Sequence, residues 1–271
     1  MKKIFFSLMI CLFAGVVFLV SCGCNKDKVV KIMTYNVGAF AKEIDDSTPL
    51  IVKLIETIGA ETVGLNEVDS CNRRHMVDQL AVLASQLGKG WDHQYGRAMA
   101  YKGGAYGNGV VTKAKVQRRG VIALPRVDGG EPRSAAYVET PDYIFAELHL
   151  DHKSDNARLE QMRVVTAELK KLFQGAGKPV FLAGDFNVIP GNTVIQEAGK
   201  DWEILTPPSL SFPSDKPRIC IDYIMMLKGS GHVEVISAGL CTADQFSAAL
   251  GPDIAPHVLS DHLPLYLEVR L

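Results

Sequence analysis

The sequence has no surplus of either charge. Lys and Arg number 29 and Asp and Glu 30 among 271 residues, giving a net charge of -1 and a pI near 6.7. No global field therefore draws the chain onto a nucleic-acid backbone. The basic pairs Arg73-Arg74 and Arg118-Arg119 are too short to change this and read as solvated surface. Cysteine is sparse, and its six residues lack the paired spacing of a metal knuckle. No Pro/Ser-rich linker, charge block or internal repeat interrupts the chain after about residue 29, which argues against several domains. Also missing are a phosphate-binding loop ending in Gly-Lys-Ser/Thr, a His-Glu-x-x-His and a Gly-x-Ser-x-Gly, so three widespread hydrolase signatures are excluded. Aromatic residues make up 8%, and no long aromatic insertion offers to enter a bilayer or grip DNA.

The one long apolar run lies at the start. Met1-Lys2-Lys3 followed by uncharged residues from Ile4 to Val20 has the layout of a secretory signal. The run is a little short of the about 20 residues a membrane-spanning helix needs. It ends in Leu19-Val20-Ser21-Cys22, apolar, then small, then cysteine, which resembles the lipobox of bacterial lipoproteins. The expectation is a signal peptide over 1–21, lipid on Cys22, a tether over 22–29 and one catalytic domain over 30–271. About 250 residues would remain after cleavage, enough for a deep core. Such a protein is exported and held at a membrane, on the periplasmic or cell-surface side. Cys11 would leave with the signal and Cys22 carry lipid. That leaves Cys24, Cys71, Cys220 and Cys241, an even number that suits disulfides in an oxidising compartment.

Within the domain, polar residues gather at strand ends. The run Val180-Phe181-Leu182-Ala183 leads into Gly184-Asp185-Phe186-Asn187, Lys31 to Tyr35 leads into Asn36, and Thr62 to Asn66 leads into Glu67. Ser260-Asp261-His262 precedes a strand in which Leu265, Leu267, Val269 and Leu271 alternate with Tyr266, Glu268 and Arg270. If that last strand runs antiparallel to the others, all these groups meet on one edge. Strands are also predicted near 107–112, 134–139, 143–149, 219–227 and 232–238. The clearest helix is 154–174, where Leu159, Met162, Val165, Leu169 and Phe173 recur at helical spacing and Ser154, Asp155 and Asn156 offer caps. Shorter helices are placed at 48–59 and 76–87. Many strands and few helices suggest two packed sheets with helices outside.

Taken in order, Tyr35-Asn36-Val37, Leu65-Asn66-Glu67-Val68, Gly107-Asn108-Gly109, His149-Leu150-Asp151-His152, Gly184-Asp185-Phe186-Asn187, Ile221-Asp222-Tyr223-Ile224 and Ser260-Asp261-His262 resemble the motifs of the endonuclease/exonuclease/phosphatase superfamily. The resemblance runs from about residue 31 to 270. It departs at Asn66, where the family usually has Gln, and at Thr112-Lys113, where Ser-Arg is common. It implies a four-layer α/β/β/α sandwich of two mainly antiparallel or mixed sheets, and hydrolysis of a phosphate ester with Mg²⁺ or Mn²⁺, a diester favoured. Glu67 is implied as the principal metal ligand, Asp261 as a second carboxylate and Asn36 as the residue supporting the metal site. His262 is implied as the catalytic histidine, oriented by Asp222. Asp185 would position the attacking water or stabilise the pentavalent transition state, with His149 and Asn187 donating to phosphate oxygens. Arg158 and Gln161 also match a family pattern, as readily explained by packing.

The residue chemistry agrees, because ester hydrolysis of this kind needs charge neutralisation on oxygen, an in-line water and help for the leaving group. His262 has acidic neighbours suited to proton transfer, whereas His75, His93, His232 and His257 read as structural and His152 as undecided. The expected partners are a phosphate-ester substrate and a membrane reached through the lipid anchor. Nucleic acid and a phospholipid or sphingolipid are both open as the substrate, making the enzyme a nuclease or a lipid phosphodiesterase, and no protein partner is implied. The competing reading is a catalytically silent lipoprotein that binds a phosphorylated ligand on the same surface.

Overall fold

A computed structural model describes residues 28–271, so the signal segment, Cys22, Cys24 and most of the tether lie outside the described residues. Twelve strands and five helices follow one another from β1 to β12 and α1 to α5. The strands are β1 (Val29–Asn36), β2 (Thr62–Ser70), β3 (Asp92–Tyr101), β4 (Gly104–Thr112), β5 (Arg118–Leu124), β6 (Arg133–Glu139), β7 (Ile144–His149), β8 (Val180–Asp185), β9 (Trp202–Ile204), β10 (Asp222–Leu227), β11 (Glu234–Leu240) and β12 (Leu265–Arg270). The helices are α1 (Thr48–Ile58), α2 (Gln79–Leu87), α3 (Asp155–Phe173), α4 (Thr193–Ala198) and α5 (Ala243–Leu250).

The strands form two six-stranded sheets, ordered β11-β12-β1-β2-β4-β3 and β5-β6-β7-β8-β10-β9. Each sheet has one parallel pair, β1 with β2 and β7 with β8, and every other pairing is antiparallel. Parallel neighbours need a long crossover, supplied here by α1 and α3. The two-residue period of the strands then sorts side chains into layers. Ile32, Phe145, Phe181, Ala183 and Leu267 fill the space between the sheets. Met33 and Leu65 face α1, α2 and α5, whereas Ala146 and Leu182 face α3 and α4. This is the expected four-layer sandwich of mixed sheets.

The expected helices are present, with ends set by local chemistry. Ser154 caps α3 by accepting the Ala157 N–H, and Asp78 caps α2 in the same way through Ala81, so α2 begins later than the apolar spacing suggested. Gly59, in the left-handed region, stops α1. Five elements went unread: β3, β5, β9, α4 and α5. Strands β3, β5 and β9 lie at sheet edges, and most residues of β3 and β5 are only half-buried or exposed. A strand without a fully buried face carries little alternation. Among the described residues Cys71, Cys220 and Cys241 are free, so they form no disulfide with one another.

Polar side chains bolt the two sheets together behind the site. The Asn66 amide donates to Leu148 O at 2.8 Å and accepts from the Asp185 N–H at 2.9 Å. Asn108, from the Gly-Asn-Gly motif, donates to Ser134 O and Glu147 O. Glu147 itself is fully buried between the sheets, where Thr34 Oγ1 donates to it at 2.7 Å. Its other oxygen lies 1.8 Å from where a Cβ on Gly64 would stand, so the glycine makes room for the carboxyl.

Burial, reinforced by Asp222 and Asp185, pushes the Glu147 carboxyl well above its ordinary 4.5, against the pull of the Thr34 hydrogen bond. Its folded pKa is raised, so its contribution is complete below the unfolded value and is lost as pH climbs toward the folded value. Thermal stability of the wild type is expected to fall between pH 5 and 9 relative to Glu147→Gln, which has no proton to lose. Parallel calorimetric Tm profiles for the two proteins over that range would contradict this.

Candidate active site

Register places the polar residues before any side chain is considered. Across three adjacent strands, His149 at the end of β7 pairs with Asp185 at the end of β8, which pairs with Asp222 at the start of β10. In the other sheet Asn36 at the end of β1 pairs with Asn66. Strand β12 runs antiparallel to β1, which brings the Asp261-His262 turn to the same edge, as the sequence required. Asn36 Nδ2 closes the gap between sheets, 3.2 Å from Asp185 Oδ2 and 3.2 Å from Glu67 Oε1.

Three backbone departures aim the side chains. Glu67 does not end its strand, because β2 continues to Ser70. It occupies a bulge between Asn66 and Val68, with φ +58°. A bulge in an otherwise alternating strand re-aims one side chain without ending the pairing. Gly184, at φ +141°, allows Leu148 O to approach where a Cβ would stand at 1.9 Å, so β8 can press against β7 immediately before Asp185. Asn187 takes the left-handed region at φ +52°, its N–H donating to Asp185 Oδ1 at 2.9 Å and its side chain to Leu150 O.

His262 is buried and held at Nδ1. Nδ1 lies 2.9 Å from Asp222 Oδ2, and Nε2 lies 3.6 Å from Asp185 Oδ2 and 3.5 Å from Asn36 Nδ2. Ser211 donates to the same Asp222 oxygen at 2.5 Å, and the Phe212 ring packs 4.9 Å from the imidazole. Burial alone would lower the imidazole pKa, but Asp222, then Asp185, outweigh it and raise it, so His262 is an imidazolium. Asp185 is raised by burial and by Asp222, although His262 opposes the shift. His149, 3.4 Å from Asp185, is held neutral by burial and by the positive charge of Arg133.

These groups open onto a cavity of about 540 Å³ whose lining includes Glu67, His149, Asp185, Asn187, Asp261 and His262. Asn36 and Asp222 stand behind it as supports. Asp261 pairs at its rim with Lys42, 2.8 Å away. The predicted residues within 28–271 therefore converge.

Two oxygen-rich arrangements bear on metal binding. Donor atoms of Asp185, Asp222 and His262 lie within 4.8 Å of one another, with His262 Nδ1 already engaged by Asp222 at 2.9 Å. Glu67 and Asp261 supply hard carboxylate oxygens to the cavity, the donor type Mg²⁺ and Mn²⁺ take. Glu67 meets only an amide N–H from Asn36, and Asp261 already binds the cationic Lys42 amine. These residues fit such an ion. The Asn36 oxygen accepts from Gly38 N–H, so Asn36 serves by orienting the carboxylates.

Arg158 and Gln161 are packing residues. Arg158 donates to Asp151 O, and Gln161 accepts from the Asp151 N–H and donates to Pro125 O. His75 has the acidic setting that its sequence neighbours did not suggest, with Nδ1 2.6 Å from Asp69, but it stands outside the cavity. His152, undecided from sequence, lines the cavity together with Tyr106 and Arg133. The latter two went unread, since an arginine opening a strand and a tyrosine within one look ordinary in sequence.

An edge of two stacked sheets that gathers histidines, carboxylates and amides around one cavity is the architecture of a phosphoesterase. A family model described as "Endonuclease/Exonuclease/phosphatase family" matches residues 33–262, and the chain belongs to that family, whose enzymes are hydrolases acting on phosphate esters. Among solved structures, a mannosyl-6-phosphatase from Bacteroides thetaiotaomicron is similar at 19% identity and TM-score 0.67, over 89% of this chain and 100% of that one. The human Nocturnin catalytic domain, solved with a bound sulfate anion, is similar at 20% identity and TM-score 0.66, over 89% and 93%. ANGEL2, a 2′,3′-cyclic phosphatase, is similar at 17% identity and TM-score 0.67, over 90% and 95%. At such identities the likeness is one of fold. No curated protein matches the sequence.

Proposed function

We propose that this chain is an exported, lipid-tethered hydrolase that cleaves a phosphate ester with the aid of Mg²⁺ or Mn²⁺. The observation that carries the reading is the His262–Asp222 pair beside Asp185, in a cavity that also receives Glu67 and Asp261. A silent binding protein would have no need of a charged histidine so supported, and no member of the implied catalytic set is missing.

Glu67 and Asp261 would hold the metal, with Asn36 keeping Glu67 in place. Bound there, the ion supplies charge neutralisation to a nonbridging phosphate oxygen. The chain's own residues do the rest. His262, as an imidazolium, donates to a phosphoryl oxygen and holds developing negative charge, and Asp222 keeps its ring in register. Asp185, with its raised pKa, takes a proton from the attacking water as the water oxygen bonds to phosphorus; the ester P–O bond breaks and the alcohol leaves, protonated from solvent. Asn187 and His149 flank the phosphoryl group and exclude bulk water. Of the two ester classes, the sequence favoured the diester, whereas the polar wall around Arg133 favours the monoester, as developed below. Cys22, outside the described residues, would keep the enzyme near bilayer-derived or periplasmic substrates.

The test is a panel of DNA, RNA, sphingomyelin, phosphoinositides, inositol phosphates and sugar phosphates, assayed with Mg²⁺ or Mn²⁺ and again in excess chelator. Hydrolysis of at least one substrate that stops on chelation and returns with added metal is expected. Undiminished turnover by metal-free protein would remove the metal from the proposal, and no turnover on any ester would favour the silent binder.

A further inference from the structure

The cavity's polar wall holds a cation for which the reaction just described has no use. Arg133 opens β6 and is only 5% exposed, yet its Nε has no hydrogen-bond partner. Nδ1 of the buried His149 on the same wall is also unpartnered. Both residues line the cavity and the narrow recess beside it, which runs between Tyr106, Asn108 and Ser134.

Nearby carboxylates neutralise the guanidinium only in part and leave its Nε without a partner. Glu131 approaches its Nη2 at 3.3 Å, but the Glu131 side chain is 43% exposed and free to turn into water. Asp151 acts at longer range: its Oδ1 accepts the Lys153 and Ser154 N–H groups, and its buried Oδ2 makes no hydrogen bond to Arg133 or any other group. The other contact of Nη2 is His152 Nδ1 at 3.3 Å, and because a guanidinium can only donate, that nitrogen accepts. A buried guanidinium with a free N–H is costly to keep unless a ligand completes it.

We propose that Arg133 is the recognition residue for the terminal oxygens of a phosphate monoester. The proposal rests on the phosphoesterase reading and goes further by naming the ester class. At neutral pH a monoester carries a charge of about -1.5 to -2 and three terminal acceptor oxygens, which suit the fixed fork of an arginine. A diester offers a single charge and gives one of those oxygens to a second substituent. On the Arg133 side the space narrows to the recess of about 10 Å³ bounded by the buried Asn108, Ser134 and His149, too small for that substituent. The opposite lip is apolar and open, formed by Ile189, Phe212 and Ile219, with Ile189 52% exposed. The single organic group therefore leaves across the lip while the phosphoryl end meets Arg133.

The full chain is assayed with p-nitrophenyl phosphate and bis(p-nitrophenyl) phosphate, which share a leaving group, and inorganic phosphate binding is followed by calorimetry. The wild type is expected to favour the monoester. Arg133→Ala should lower kcat/KM by about 100-fold or more on the monoester, by under about 10-fold on the diester, and weaken inorganic phosphate by at least about 10-fold, the range of a lost charge-assisted bidentate contact. Millimolar guanidinium should restore part of the monoester activity. Arg133→Lys, which keeps the charge without the fork, should fall between, and it carries the test if the alanine variant fails to fold. Equal losses on the two esters with unchanged phosphate affinity would overturn the Arg133 assignment while leaving the phosphoesterase reading intact. If the wild type cleaves neither these nor any ester of the panel, that reading falls first and the assignment with it.

Discussion

Replacing Glu67 by Gln is expected to lower turnover by about 10³-fold or more at saturating Mn²⁺, the equivalent of several kcal/mol of lost charge stabilisation. The substitution is close to isosteric, and Gln still offers a carbonyl oxygen to the Asn36 amide, which now approaches Glu67 Oε1 at 3.2 Å. What disappears is the negative charge at the one bulge position of β2 that faces the cavity. The fold should be unaffected, because Glu67 is only half-buried and makes no cross-sheet bridge. Single-turnover rates across a Mn²⁺ titration, with calorimetric metal binding alongside, separate loss of affinity from loss of rate. Normal rate and normal metal affinity in Glu67→Gln would remove this residue from the metal site.

His262→Ala and Asp222→Asn should each reduce the rate of the chemical step by roughly 10² or more, the scale of lost acid/base assistance. The double variant should fall well short of the product of the two losses. Asp222 reaches the substrate only through His262, which it holds at 2.9 Å, and groups that act as a unit are not additive. Asp222→Asn also leaves Ser211 with an amide partner in place of a carboxylate, so circular dichroism must accompany the kinetics. Fully multiplicative losses would show that the two residues act separately.

The reach of the sequence differed between the site's floor and its walls. Asp185, Asn36, Asp222 and His262 were legible because each adjoins a buried strand whose apolar run announces its end. Their convergence followed once β12 was taken as antiparallel. Glu67 was legible as a residue but not as a bulge, since a positive φ at a non-glycine position leaves no trace in the pattern of apolar residues. Edge strands β3 and β5 were missed because neither has a fully buried face, and the period-2 signal is a signal of burial. Arg133 and Tyr106 were missed for a related reason. Their importance lies in having been brought to the cavity by the pairing of β6 with β5 and of β4 with β2, a long-range fact that no local spacing encodes. The supposed isolation of His75 failed similarly, because the loop after β2 folds it back onto Asp69.

The order of strands in the two sheets carries one more meaning. Read outward from the parallel pair, β1 and β2 correspond to β7 and β8. Each pair is joined by a long helix, and each second strand is followed by a short helix, an edge strand and a returning inner strand: β3 then β4 in one case, β9 then β10 in the other. On the far side, β12 and β11 match β6 and β5. The molecule is thus built on an internal pseudo-two-fold, with one supersecondary unit used twice. The last paired positions of the two parallel pairs are Asn36 with Asn66 and His149 with Asp185, and Asn36 and Asn66 both reach across to Asp185. The candidate site sits on the seam between the halves: Glu67, Asp261 and His262 come from one unit, His149, Asp185 and Asp222 from its counterpart. The matching strand ends carry different residues on the two sides of the junction, Asn36 and Asn66 on one and His149 and Asp185 on the other, so a near-symmetric framework presents an asymmetric site.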